Sequence, residues 1–166
     1  MRQSVLRDAG RAALAAGAAF LFYSLLGSLR PSALFIFNAF SLVVMVFSIG
    51  RGEIFGAFLG AACGLVQDSF SAGIFGVAGL TKTLLGFGTG YVSRRIDVLS
   101  ASRNALFLFV MASLELFLWI LLKALVLAEP VDFRHGLVFF QPFVTALLGT
   151  LILNFGRRLQ ARRARA

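Results

Sequence analysis

The 166-residue chain contains few of the residues on which soluble folds and catalytic sites depend. It has one cysteine, one histidine, three prolines and only 14% charged residues. A single cysteine excludes a disulfide within the chain, and one cysteine with one histidine makes a structural zinc site implausible. Soluble domains have about 25% charged residues, so this chain has too few charges to cover a surface that faces water.

Apolar residues are correspondingly abundant, at 59% of the chain with a mean hydropathy of +0.89. A helix needs about 20 apolar residues to cross the hydrocarbon core of a bilayer. Charged residues and Pro31 divide the sequence into six runs near that length, at about residues 12–29, 31–50, 52–67, 73–93, 104–127 and 137–155. We therefore expect an all-α bundle of about six transmembrane helices in one domain, residues 1–156, followed by a basic cytoplasmic tail, residues 157–166. A five-helix arrangement in which the short third run is re-entrant is the alternative.

The basic residues predict the orientation, because cytoplasmic loops are enriched in lysine and arginine. With six spans and a cytoplasmic N-terminus, Arg30 and Arg134 lie outside, and Lys82 and Lys123 fall within spans. The other twelve of the sixteen basic residues are cytoplasmic: Arg2, Arg7, Arg11, Arg51, Arg94, Arg95, Arg103, Arg157, Arg158, Arg162, Arg163 and Arg165. The sequence thus predicts a multi-pass membrane protein with both termini in the cytoplasm. Its net charge of +9 is explained by membrane lipid and does not indicate a nucleic-acid partner.

Four glycines recur at every fourth position in RGEIFGAFLGAACGLVQD, residues 51–68: Gly52, Gly56, Gly60 and Gly64. On one helix they would form a groove into which a neighbouring helix backbone can pack, since small residues permit close approach in lipid. We expect this helix to be central. The helix in the groove is expected to come from the same chain, with a helix of another protein as the alternative.

Ionisable residues within the apolar runs are costly and therefore need a partner. Lys82 and Glu115 lie near the middle of consecutive antiparallel runs, which predicts an ion pair, or a hydrogen bond if Glu115 is protonated. We interpret the pair as a clamp that specifies the fold, with a substrate or proton site as the alternative. Asp68 ends the third run and is expected to cap the next helix or to contact a partner.

No constellation for chemistry is apparent in the sequence. It has no Ser/His/Asp set, no paired carboxylates and no HExxH motif, and GFGTG, residues 86–90, lacks the preceding strand of a nucleotide-binding turn. We expect a protein that is not an enzyme, with no cofactor and no metal.

The central block, from Arg51 to about Tyr91, resembles the rod shape-determining protein MreD family. A basic residue is followed by GAFLGAACGLVQD, a spacer with Gly73 and Gly76, and an apolar span, and Gly64 to Asp68 is similar to the family's GLxxD element. The rest of the chain is similar only in hydropathy. The resemblance assigns helix packing or partner contact to Gly56, Gly60, Gly64, Leu65 and Asp68.

The resemblance also implies a location in the bacterial inner membrane and a function. MreD-like proteins are non-enzymatic scaffolds of the bacterial cell-elongation machinery, or elongasome, which controls cell shape through peptidoglycan synthesis. Their expected partner is MreC, with RodA, a penicillin-binding transpeptidase and the filament protein MreB linked directly or indirectly. The family's spans also resemble the substrate-binding membrane subunits of energy-coupling-factor vitamin transporters, which is the alternative function. An ion or proton carrier using Asp68, Lys82 and Glu115 is a weaker third one.

Overall fold

The computed structural model describes residues 2–29, 37–70, 75–96, 101–127 and 136–163, and these residues form six α-helices with no strand among them. In chain order the helices are α1 (Arg2–Leu29), α2 (Ala39–Arg51), α3 (Glu53–Phe70), α4 (Val77–Ser93), α5 (Ala101–Leu127) and α6 (Gln141–Arg163). A 3₁₀ turn, Leu137–Phe140, leads into α6. The all-α class and the number of helices agree with the sequence-based expectation. α6 continues through the first seven residues of the predicted tail.

Two of the six helices are long and apolar enough to cross a membrane by length and composition alone, at Ser102–Val126 and Val138–Gly156. α2 has 13 residues and α4 has 17, both shorter than the predicted runs that contain them. Residues 30–36, which belong to the predicted second run, lie outside the described residues. Two such helices give weak support for membrane association.

The packing is organised by two helix pairs, α3 with α4 and α5 with α6, which are joined by direct contact between α4 and α5 and by α2. The α3–α4 pair has the most extensive contact in the molecule. α2 touches α1, α3, α4 and α6, whereas α1 packs mainly on α2 and scarcely touches α3.

The central helix is α2, and the prediction that the glycine-bearing third helix would be central was wrong. Seven of the thirteen α2 residues are buried, and Phe40, Val44 and Met45 are at most 1% exposed. α3 buries only three glycines, Cys63 and Asp68, so that most of its larger side chains face outward. A glycine groove brings one neighbour very close, but it does not surround a helix with neighbours.

Large apolar side chains are exposed on every helix except α2. Leu14 on α1, Phe58 on α3 and Leu125 on α5 are each more than 70% exposed. Soluble monomers rarely expose contiguous apolar surface on this scale. Such a surface is expected of helices that face hydrocarbon.

Candidate functional site

The α3–α4 interface brings two backbones into direct contact along the glycines of α3. A Cβ atom at Gly56, Gly60 or Gly64 would overlap a carbonyl oxygen of α4, belonging to Gly86, Lys82 and Ala78 in turn. Each four-residue advance along α3 meets a residue four positions earlier in α4, which is the pattern of two antiparallel helices in contact. The groove predicted from the sequence therefore exists, and α4 of the same chain fills it.

Gly52 lies at the end of this groove, just before α3 begins, and a Cβ atom at Gly90 of α4 would overlap its backbone. Gly52 therefore packs against α4, as the sequence predicted, although it is not part of α3. It lies between α2 and α3 as the single residue that joins them, with φ +92°. Side chains rarely adopt that conformation, and a Cβ there would also overlap the Arg94 guanidinium. Its four-residue spacing from Gly56 continues the contact with α4, even though the helix that carries the other glycines begins at Glu53.

Lys82 and Glu115 meet at the point where α2, α4 and α5 converge. Lys82 Nζ lies 2.6 Å from Glu115 Oε1, and the two residues are 1% and 6% exposed. Ser41 of α2 completes the cluster, since its hydroxyl accepts from Lys82 Nζ at 2.9 Å and donates to Glu115 Oε1 at 2.6 Å. The structure thus places together the pair predicted from the sequence and adds a hydroxyl that the sequence analysis missed.

This cluster of Ser41, Lys82 and Glu115 connects three helices through contacts that depend on one another. A buried ion pair is costly to dehydrate, and losing one partner leaves a charge that is more costly still. Lys82 also supplies the carbonyl oxygen that lies against Gly60, so the same residue sits in the glycine groove and in the ion pair. These contacts therefore fix the position of α4 along its axis relative to α2, α3 and α5.

Asp68 caps the next helix, the first of the two roles expected for it. Its Oδ2 accepts from the amides of Gly76 and Gly79, at 3.0 and 2.9 Å, and its Oδ1 accepts from the Ala78 amide at 3.1 Å. The first amides of a helix have no partner within the helix. The capping residue of α4, Gly76, has no side chain to serve them, and its φ of +102° suits glycine. Asp68, 8% exposed, supplies the missing acceptor from α3.

The residues beside Asp68 lie at the same end of the α3–α4 pair. Leu65 is 42% exposed, and its side chain would be in contact with a Cβ at Gly79, so it covers the start of α4. Gln67 Oε1 accepts from Asn38 Nδ2 at 3.2 Å, and Asn38 in turn caps α2 through the Ser41 amide. The element Gly64 to Asp68 is therefore engaged mainly in contacts within the chain.

Other polar side chains of the interior were not singled out by the sequence analysis. Thr89, Asn104 and Thr145 are at most 1% exposed, and their side-chain polar atoms have no hydrogen-bond partner among the described residues. Thr89 and Thr145 lie among apolar residues and glycines in sequence, a pattern that does not distinguish them from helix-bonded hydroxyls such as Thr81, and Asn104 directly follows the charged Arg103. In the described part of the chain, no three His, Cys, Asp or Glu residues come together as a metal site would require.

A cleft of about 640 Å³ lies between α1 and α3, on a face of α3 other than its glycine face. Four small residues and one phenylalanine form the α1 wall: Ala12, Ala13, Ala16, Gly17 and Phe20. The α3 wall is bulkier and includes Phe55, Phe58 and Val66, while Phe40 of α2 and Cys63 lie deeper. Phe20 of α1 meets Phe70 of α3 across one end of the cleft, with 4.9 Å between the ring centroids. Elsewhere α1 rests on α2 and hardly touches α3, which leaves the cleft between them.

Comparisons of this chain with protein-family models, with curated proteins and with solved structures found no significant match.

Proposed function

We propose that the protein is a non-enzymatic scaffold of the bacterial cell-elongation machinery, which holds the transmembrane helix of a single-span partner, MreC. Through that partner it would act with RodA, the penicillin-binding transpeptidase and MreB in peptidoglycan synthesis. The proposal begins from the resemblance of the central block, residues 51–91, to the MreD family. In this role the protein positions a partner and carries out no turnover.

The observation that supports this proposal best is the open cleft between α1 and α3. The glycine groove cannot accept a partner, because α4 already occupies it. The cleft is the apolar recess that this packing leaves, and the three alanines and the glycine on its α1 wall permit a helix backbone to approach closely beside them. We therefore assign the partner helix to the cleft, and assign Gly56, Gly60, Gly64 and Asp68 to the support of α3 and α4 behind it.

The proposed location is the inner membrane, with six crossings and both termini in the cytoplasm. Two features support it besides the two long apolar helices. Large apolar side chains are exposed on α1, α3, α4, α5 and α6. Arg51 and Arg94 also lie at one end of the bundle, where Arg94 Nη2 is 3.5 Å from the Arg51 carbonyl oxygen and Arg94 Nη1 is 3.3 Å from Glu53. The orientation assigned from the sequence places both arginines in the cytoplasm.

The vitamin-transporter alternative has less support from this geometry. Vitamins carry polar groups that a binding subunit must meet with hydrogen bonds, and pockets for small molecules place a few polar groups for that purpose. The cleft is lined almost entirely by apolar side chains and glycine. It suits a hydrocarbon-like surface better than a polar small molecule.

The test is recovery of the partner after the cleft is filled. Ala13 and Ala18 are both exposed alanines of α1, but only Ala13 lines the cleft. We expect Ala13→Leu to reduce co-purification of the single-span coiled-coil partner, and Ala18→Leu to leave it unchanged at equal abundance of the scaffold. Equal recovery with both variants would contradict the cleft as the binding place. Co-purification of a vitamin or an ATP-binding cassette in place of the single-span protein would contradict the scaffold itself.

A further inference from the structure

One exposed face of α4 combines an apolar track with a cation at its end. Leu84, Phe87 and Tyr91 are each between 41% and 46% exposed and recur at spacings of three and four residues. These spacings place them on the same side of the helix. Arg95, also exposed, follows four residues later, just beyond the end of α4.

The side chains at this tip of α4 are arranged by stacking. The Phe87 and Tyr91 rings lie 6.0 Å apart between centroids with only 10° between their planes, and the Arg95 guanidinium carbon is 4.4 Å from the Tyr91 centroid. A cation over an aromatic face is held by the ring quadrupole. The ring has no net charge, so this contact orients the guanidinium and leaves its positive charge uncompensated.

Arg95 differs in this respect from its neighbour Arg94. Arg94 lies 3.3 Å from the Glu53 carboxylate, whereas no carboxylate of the described residues pairs with Arg95. A guanidinium presents a planar fork of N–H donors that suits the oxygens of a phosphate. Arg95 is thus an oriented, exposed guanidinium that can donate hydrogen bonds to a phosphate at the end of the apolar track.

We infer that this face of α4 binds an anionic phospholipid, with the headgroup phosphate at Arg95 and an acyl chain along Phe87 and Leu84. The inference rests on the proposed membrane placement but not on the proposed partner. Leu84 and Tyr91 are about 10 Å apart along the helix, which fits within the roughly 15 Å depth of one leaflet. An acidic protein segment would use the cation but not the apolar track, which is why the combination favours a lipid. The cytoplasmic leaflet, where the proposed orientation puts Arg95, is rich in anionic lipids.

The chain offers a matched control near the C-terminal end of α5. Lys123 Nζ lies 4.4 Å from the Trp119 ring centroid, so it is also a cation over an aromatic ring. In the proposed orientation it faces the outer leaflet. Lys123→Gln therefore removes the same unit of charge and the same kind of stacking contact without touching α4.

The experiment compares lipid retention by native mass spectrometry, using full-length protein from nanodiscs of phosphatidylglycerol or phosphatidylcholine. We expect the wild type to retain phosphatidylglycerol preferentially, Arg95→Gln to lower that retention about five-fold, and Lys123→Gln to leave it unchanged. Arg95→Lys should keep part of the preference, since it preserves the charge but not the fork. Tyr91→Leu should weaken retention because the guanidinium is no longer oriented.

Two results would overturn the inference. One is equal retention of the two lipids by the wild type, and the other is an equal loss from Arg95→Gln and Lys123→Gln, which would show a general effect of net charge. Partner recovery measured on Arg95→Gln separates this inference from the scaffold proposal. The lipid site requires no change in that recovery, so a failure of either idea leaves the other intact.

Discussion

At the scale of single residues, the cluster of Ser41, Lys82 and Glu115 shows how a polar interior can be dictated by packing. α4 lies so close to α3 that the Lys82 carbonyl occupies the space of a missing side chain at Gly60. The Lys82 side chain is thereby directed among α2, α4 and α5, where Glu115 Oε1 accepts at 2.6 Å. The charge pair is therefore tied to the glycine contacts beside it.

Charge reversal at this pair provides a prediction at the residue scale. Lys82→Glu and Glu115→Lys each leave two like charges buried together, and loss of a buried charge partner costs about 3–5 kcal/mol. Neither single variant should accumulate as folded protein. The double variant restores opposite charges, and Ser41 can donate or accept in either arrangement, so it should be recovered better than both.

The measurement for this pair is the amount of monodisperse protein in mild detergent and its thermal unfolding midpoint. Lys123→Glu, at a half-buried position on the same helix as Glu115, controls for the introduction of charge alone. Equal damage from the double and single reversals would show that the two side chains do not interact.

At the scale of secondary-structure elements, α3 and α4 behave as one unit. Three glycines of α3 accept the backbone of α4, Gly86 and Gly90 of α4 lie reciprocally against α3 and the residue before it, and Asp68 holds the first amides of α4. Because the glycines have no side chains, the two helix backbones can approach closely. The Asp68 carboxylate then fixes where α4 begins relative to α3. Backbone contact of this kind tolerates no added volume.

A matched pair of alanine substitutions tests this unit. A Cβ at Gly60 would overlap the Lys82 carbonyl, whereas one at Gly88 of α4 would meet nothing within 4 Å. We expect Gly60→Ala to destabilise the fold by about 1–3 kcal/mol, as overpacking does. Gly88→Ala should be neutral or stabilising by up to about 1 kcal/mol, because alanine favours the helix. Thermal unfolding in detergent measures both, and a similar midpoint for the two variants would rule out close packing at Gly60.

At the scale of the whole molecule, the two helix pairs and α1 surround α2, and the outward faces are apolar. Basic residues that the proposed orientation places in the cytoplasm meet at one end, where Arg94 contacts Glu53 and the Arg51 carbonyl. Asn38, Gln67 and Asp68 cluster at the other end. An apolar belt between two polar ends is the arrangement expected of a molecule embedded in a bilayer.

The prediction at this scale concerns the two ends of the chain. With Cys63 replaced by alanine, single cysteines introduced at Ser4 and at Ala166 should react with an impermeant maleimide only after the cytoplasmic face is opened. A cysteine at His135, in the predicted outer loop, should react from the outside in intact cells. Labelling of the two ends from opposite sides would contradict the six-span arrangement.

The sequence was most informative at residues whose types are costly unless the fold gives them a specific partner, such as charged residues in apolar runs. Two opposite charges at matching depth in apolar runs predicted the Lys82–Glu115 pair, because neither can remain alone there. Glycines every four residues predicted close packing at Gly56, Gly60 and Gly64. Asp68 was correctly expected to cap a helix, although partner contact was left as the alternative.

The sequence was least informative where one local pattern serves two structures. Gly52 has the spacing of the groove glycines and contacts α4 as they do, but spacing alone does not show that it lies between two helices with a positive φ. α2 is as apolar as its neighbours, so hydropathy did not show that it is the helix surrounded by others. Ser41 resembles any small polar residue in a helix until the fold places it beside Lys82.

The ion pair also has a consequence for how the protein is made. The ribosome completes α4 before α5, and Lys82 precedes its counter-ion by 33 residues. At about 5–20 residues per second, the lysine waits roughly 2–7 s for the glutamate to be synthesised. In the proposed membrane arrangement, Ser41 is the cluster's one partner for Lys82 that is already made during that interval. In that arrangement we expect α4 to stay within the translocon until α5 emerges, because a buried charge without its partner is costly.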